Sequence, residues 1–150
     1  MASYVKFYTF VGDLANKAHD LLGTAGASAD TCNVALSNTA PTAATDTVFA
    51  NITEISAGNG YTAGGASTGN VGASSSGTFT LTGTNVTWTA SGGSVGPFRY
   101  IVFYNTSTSP LTKPLIGYWD YGSSLTLQDG DSFTVKFNNG VSSGTILTIA

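Results

Sequence analysis

The ten-residue segment GPFRYIVFYN, Gly96 to Asn105, is apolar at nearly every position, and this run limits the possible folds more than any other feature of the chain. A strand with one solvated face alternates; a nearly continuous apolar strand needs cover on both faces, which predicts a central place in a sheet. The segments around it from Cys32 onward also read as β. CNVALSN alternates as a half-buried strand and stops at Ala40-Pro41, because proline cannot donate to a ladder. TVFANITEI is expected to form a further strand, with Val48, Ala50 and Ile52 on one parity and Phe49, Thr53 and Ile55 on the other. GTFTLTG and NVTWTAS are short alternating segments separated by a Gly-Thr turn, and GTILTIA supplies a last strand.

SLTLQDGDSFTVKF predicts a hairpin around Asp129-Gly130, with Leu125, Leu127, Phe133, Val135 and Phe137 pointing one way and Thr134 and Lys136 the other. PLIGYWDYG is aromatic and broken by glycine, which predicts a bulge or a close backbone approach. The Ala-, Ser- and Gly-rich segment Gly64 to Gly77 reads as a long loop or as two poorly marked strands. About seven to nine short strands with turn signals between them predict a mainly β chain, an antiparallel β-sandwich or small barrel.

Helical periodicity is confined to Tyr4–Leu22, where Tyr4, Phe7, Tyr8, Phe10, Val11, Leu14, Ala15, Ala18, Leu21 and Leu22 share one broad arc. Ser3 is the expected N-cap, Asp13 and Lys17 an i,i+4 pair, and Gly23 the stop. The organisation expected is a single domain over residues 1–150: an amphipathic helix at about 4–22, a small-residue linker at 23–31, and a sandwich at 32–150. The helical stripe packs either on the domain's own core or on a partner.

Net charge of -3 and a single arginine, Arg99, argue against nucleic acid, whose binding rests on neutralising phosphates. No run of 18 apolar residues exists, and MASYVKFYTF lacks the basic start and cleavage site of a signal peptide, so the expectation is a soluble chain made in the cytoplasm, without a membrane partner. The lone Cys32 excludes an intramolecular disulfide. Sequons at Asn51, Asn85 and Asn105 are read as chance in a Thr-rich strand protein.

Catalytic signatures are weak, and the chain is expected not to be an enzyme. A Cys32–His19 pair is conceivable, but the simpler reading is a boundary histidine and a small buried thiol. Glu54 and Asp120 are the acids to consider for a carboxylate pair, yet nothing brings them together. Asp129-Gly130-Asp131 lacks the remainder of a calcium loop, and GNGYTAGG lacks the lysine of a phosphate loop, so no metal or cofactor is expected. Trp88, Trp119, Tyr118, Tyr121 and Tyr61 could stack on sugars, which keeps a glycan ligand open against the reading of strand core residues. Arg99, alone in its apolar strand, is expected to reach the sheet edge or to pair with a carboxylate.

At VALSNTAP, ITEISAGNGYTAGG, WTASGGSVGPFRYIVFYN and PLIGYWDYGSS, the chain resembles a family of small virion proteins of tailed bacteriophages found among head-gene products. The resemblance covers nearly the whole chain, and its motifs are structural phrases without catalytic residues. It implies a β-rich decoration, or cement, protein on the capsid exterior. The partner it implies is the major capsid protein, and the assembly a homo-oligomer, with a trimer favoured. Head-tail or tail components and a glycan-binding adhesion module are the competing roles. The helical start departs from cement proteins that open with an extended arm. Tyr4, Phe7, Tyr8, Tyr61, Arg99 and Trp119 are the candidate interface residues, with Tyr61 an amphipathic anchor against a neighbouring strand, subunit or capsid protein.

Overall fold

In a computed structural model of the chain, residues 2–23, 29–108, 110–137 and 142–150 are described. The architecture is an antiparallel β-sandwich. One layer has the order β1-β8-β7-β2-β3, built from β1 (Ser3–Lys6), β2 (Cys32–Ser37), β3 (Ala66–Ser67), β7 (Val95–Asn105) and β8 (Leu115–Leu127). The opposing layer contains β4 (Val71–Ser75), β5 (Thr78–Thr84), β6 (Val86–Thr89), β9 (Ser132–Val135) and β10 (Ser143–Ile149), paired as β10-β5-β4 and β6-β9. Asn85 alone separates β5 from β6. Ser143 pairs with Thr84 and Val135 with Val86, so β9 and β10 lie end to end along the same side of this long strand.

The apolar run is central, as its composition requires. Ile101 and Phe103 on β7 face the opposing layer, where they join Val34, Leu36, Leu81, Val86 and Trp88 in the main core. Val102 and Tyr104 face the other way and join Phe7, Ala35 and Leu115 in a second cluster, covered by Phe49 and Ile52. That cover comes from a segment expected to be a strand. TVFANITEI instead forms one turn of 3-10 helix at Phe49–Asn51, because the Asn51 side chain accepts the backbone N–H groups of Thr47 and Val48 at 3.1 and 3.2 Å. The turn puts Phe49 and Ile52 on one side, and Phe49 stacks on Tyr104 with ring centroids 4.1 Å apart.

The N-terminal helix is shorter than its periodicity predicts. Ser3–Lys6 is a strand on the edge of β8, and α1 covers only Phe10–Ala15, with Thr9 as its N-cap. A single isolated helix is marginal in water, whereas the β8 edge offers Ser3–Lys6 a complete ladder, from Ser3↔Asp120 to Lys6↔Gly117. Lys17 adopts a positive φ and ends the helix, so the Asp13–Lys17 pair does not form; Asp13 is buried and Lys17 exposed. The predicted apolar stripe is only partly buried. Phe10 and Leu21 enter the main core, Phe7 the second cluster, and Val11 and Leu22 remain exposed.

The segment SLTLQDGDSFTVKF has the expected turn, in which Asp131 accepts the Gln128 N–H through its carboxylate and donates its own N–H to the Gln128 carbonyl. Its arms do not pair with each other, because β8 continues on β7 and β9 crosses to β6. The expected inward set still holds, since both layers share one core: Leu127 and Phe137 are buried there, and Leu125, Phe133 and Val135 pack against it. The Gly64–Gly77 segment resolves into the two short strands β3 and β4.

Candidate functional site

The interface candidates separate at once by burial. Phe7 and Tyr61, 0% and 3% exposed, are core residues and cannot contact a partner, which corrects their assignment as interface residues. Tyr61 is an anchor, but within its own chain. Gly58 and Tyr61 exchange backbone N–H bonds at 2.8 and 2.9 Å, closing a tight turn through Asn59 and Gly60. A Cβ at Gly60 would overlap the Thr89 carbonyl, so glycine is what lets this turn lie against β6. The Tyr61 ring then enters the core beside Trp88, with centroids 5.9 Å apart. Its hydroxyl accepts the Leu36 N–H at 2.9 Å and donates to Glu54 Oε1 at 2.7 Å. Burial, more than these partners, raises the pKa of the phenol well above its ordinary value.

Arg99 occupies a break in the β7–β8 ladder. Phe98 pairs with Leu125 and Tyr100 with Asp120, so Tyr121–Ser124 bulge outward opposite the single residue Arg99. This is the bulge predicted from the glycine-broken aromatic segment. The guanidinium donates from Nε and Nη2 to the two Asp120 oxygens, both at 2.8 Å, and Asp120 also accepts the Gly122 N–H at 2.8 Å. These hydrogen bonds, Arg99 first, hold the Asp120 carboxyl below its ordinary range. Arg99 also lies over the Tyr100 ring at 5.4 Å, and Tyr100 meets Tyr118 edge-on at 6.1 Å. Tyr8, 70% exposed, is close enough to contribute to the raised pKa of Tyr118, behind burial, Tyr100, Asp120 and Asp46. The outer face of the first layer therefore sets Tyr100 and Tyr118 beside a bidentate ion pair, a composition typical of binding hot spots.

Tyr4 and Trp119 lie on a different surface, the seam where the two layers part. They are register partners on β1 and β8, with ring centroids 5.2 Å apart. A Cβ at Gly117 would overlap the Tyr4 ring, so the glycine in this strand provides a seat for the tyrosine. Beside them a cleft of about 580 Å³ opens between Trp119 and Tyr121 on β8 and residues Phe133, Lys136 and Phe137 at β9, with Ile146 of β10 at its side. A second cleft of about 370 Å³ continues along the seam past Tyr4 and Lys6 towards Val11 of α1 and Leu147 of β10.

The catalytic candidates are not assembled. Glu54 accepts Tyr61 and the Gly64 N–H, whereas Asp120 is engaged by Arg99, so each carboxylate has its own partners. Burial pushes the Cys32 thiol up, the opposite of what a nucleophile needs. His19 is buried against Phe10, and its Nδ1 lies 3.2 Å from the Asn105 amide, which also donates to Asp30 at 2.7 Å. No group of three or more His, Cys, Asp or Glu among the described residues could hold a metal ion. No helix among the described residues is long and apolar enough to cross a membrane.

Sequence reasoning anticipated a carboxylate partner for Arg99, and that partner is Asp120. It did not single out Tyr100 as part of a surface cluster, or Lys136 and Phe133 as walls of a cleft. The equal parity of Tyr100 and Arg99's distant partner would have been needed, and parity alone does not give the register between β7 and β8. Compared with known proteins, the chain matches no family model, no curated protein and no solved structure.

Proposed function

We propose that this chain is a structural protein of a tailed-bacteriophage virion, which binds the outer capsid surface and stabilises the shell as a decoration protein. The observation that carries the reading is the outer sheet face bearing Tyr8, Arg99, Tyr100, Tyr118 and Asp120. Tyr100, Tyr118 and Asp120 sit on paired strands and Arg99 is held by its fork on Asp120, so these side chains are in place before a partner arrives, which lowers the entropy lost on docking. The resemblance of the sequence segments to small virion proteins supports the same role. In this reading the partner is the major capsid protein, the chain is made in the host cytoplasm, and a trimer at symmetric shell positions repeats one modest contact many times.

The test is the copy number of the chain in purified virions, measured by quantitative mass spectrometry against the major capsid protein. A simple stoichiometric ratio supports decoration; a handful of copies per particle moves the chain to the neck or tail. A second reading, a glycan-binding module on the virion, is favoured by one observation: Trp119, Tyr121 and Phe133 wall an open cleft. Glycan binding lost on Trp119→Ala would support it.

A further inference from the structure

The cleft beside Trp119 has a property that a pocket over a sheet face lacks. Side chains on a strand alternate between two faces, yet the cleft is lined by every residue from Phe133 to Phe137. It therefore runs along the edge of β9. Among the described residues β9 has one ladder partner, β6, and β10 one, β5, so each leaves one edge without a ladder. On a strand paired on one side only, every second residue directs its N–H and C=O outward. The seam thus combines the edge of β9 that carries no ladder with an apolar floor, Ile101 and Trp119, on the facing layer; just beyond the strand the Phe137 N–H is already taken by Asn85 Oδ1 at 3.2 Å.

Charge narrows what could lie there. Among the described residues Lys136 is the charged side chain lining the first cleft and Lys6 the one lining the second, beside Tyr121 and Tyr4, with no Asp or Glu in either, although the chain as a whole carries -3. Lysines on an exposed edge repel a second copy of the same edge and so discourage self-association. The same lysines attract a strand that carries carboxylates.

We propose that this seam is a docking groove for an extended acidic segment of a partner protein, which adds to the free β9 edge as a further strand, placing apolar side chains on Trp119 and its carboxylates towards Lys136 and Lys6. The four residues of β9, Ser132–Val135, set the length of the added ladder at about four residues. The main chain supplies affinity, and the alternation of inward and outward side chains supplies selectivity. The inference deepens the docking role proposed above and rests on it for the origin of the donor segment.

The experiment uses the full chain and a short fluorescein-labelled peptide alternating valine with glutamate, followed by fluorescence anisotropy and by the emission of Trp119. The expected result is saturable binding with a shift in Trp119 emission. Affinity should fall about fivefold on Lys136→Glu, and at least about tenfold when a central valine of the peptide is replaced by proline, which removes a main-chain donor. A lysine-for-glutamate peptide should bind more weakly than the acidic one. The proposal is overturned if the acidic peptide does not bind, if the proline peptide binds equally well, or if Lys136→Glu leaves affinity unchanged while circular dichroism shows it folded. Concentration-dependent dimerisation by sedimentation, abolished by mutation of the seam, would assign the groove to a second copy instead. A glycan that shifts Trp119 emission and displaces no peptide would assign it to sugar. The assay uses purified components, so its failure leaves the copy-number result intact, and a failed copy-number test leaves the peptide result intact.

Discussion

Tyr61 bridges two distant parts of the chain: its hydroxyl accepts the backbone N–H of Leu36 in a central strand and donates to the Glu54 carboxylate. Without it the Leu36 N–H would be left unpaired inside the core, whereas Glu54, half-buried, keeps the Gly64 N–H. Tyr61→Phe is therefore expected to cost about 1–3 kcal/mol, more than an exposed tyrosine hydroxyl contributes. Urea denaturation with unchanged m-value checks this. Combining it with Glu54→Leu, which leaves no acceptor, should give a loss smaller than the sum of the two single changes, because both remove the same bond.

Arg99→Ala breaks a bidentate pair that is partly exposed, so the melting temperature should fall only slightly. Binding to virions or to purified capsids should fall more, because the same change strips the outer tyrosine cluster of its cation. Arg99→Lys should restore charge without the fork and recover little of that binding. A large melting shift with capsid binding intact would show that the pair serves the fold and not the surface.

His19 links stability to pH. Burial, against the opposing charge of Asp30, holds its pKa down to about 4 from an ordinary 6.5. The unfolded chain therefore binds the proton first, and stability should decline as pH falls from about 6.5 to about 4, then stop changing on this account. The total is on the order of 3 kcal/mol. The difference between wild type and His19→Gln across that window isolates the effect. Asp120, whose pKa is depressed by Arg99, adds its loss at lower pH, beginning below the ordinary carboxylate value as the pair is protonated.

Gly117→Ala forces the Tyr4 ring off its seat. The expected outcome is a stability loss of about 1–2 kcal/mol and altered Trp119 fluorescence, because the ring that covers the indole is displaced. In a Tyr4→Ala background the same substitution should cost much less, and thermal melts of the four proteins complete the cycle.

Much of the fold was readable from composition and parity. GPFRYIVFYN asked for cover on both faces and has it, and the five inward residues from Leu125 to Phe137 share the core. What the sequence did not reveal were choices made by distant partners. Ser3–Lys6 carries helical spacing but also fits a strand, and only the waiting β8 edge decides between them. TVFANITEI alternates well enough for a strand, but Asn51 supplies local bonds that a ladder would have to break. At the surface, Arg99 announced its need for a carboxylate, whereas the tyrosines around it are brought together by a register and a bulge that no single-chain pattern encodes.

The ladder between Ser3 and Asp120 has a consequence for how the molecule comes to exist. The first layer joins segments from early, middle and late in the chain, and β5 near the middle waits for β10. Such non-local pairings carry a high contact order, and folding should be slow, in the range of milliseconds to seconds. During synthesis the apolar β7 emerges before β8, its largest pairing partner, has been made. For that interval the most hydrophobic strand of the protein is an unprotected template, and its survival depends on how quickly the ribosome delivers the strand that covers it.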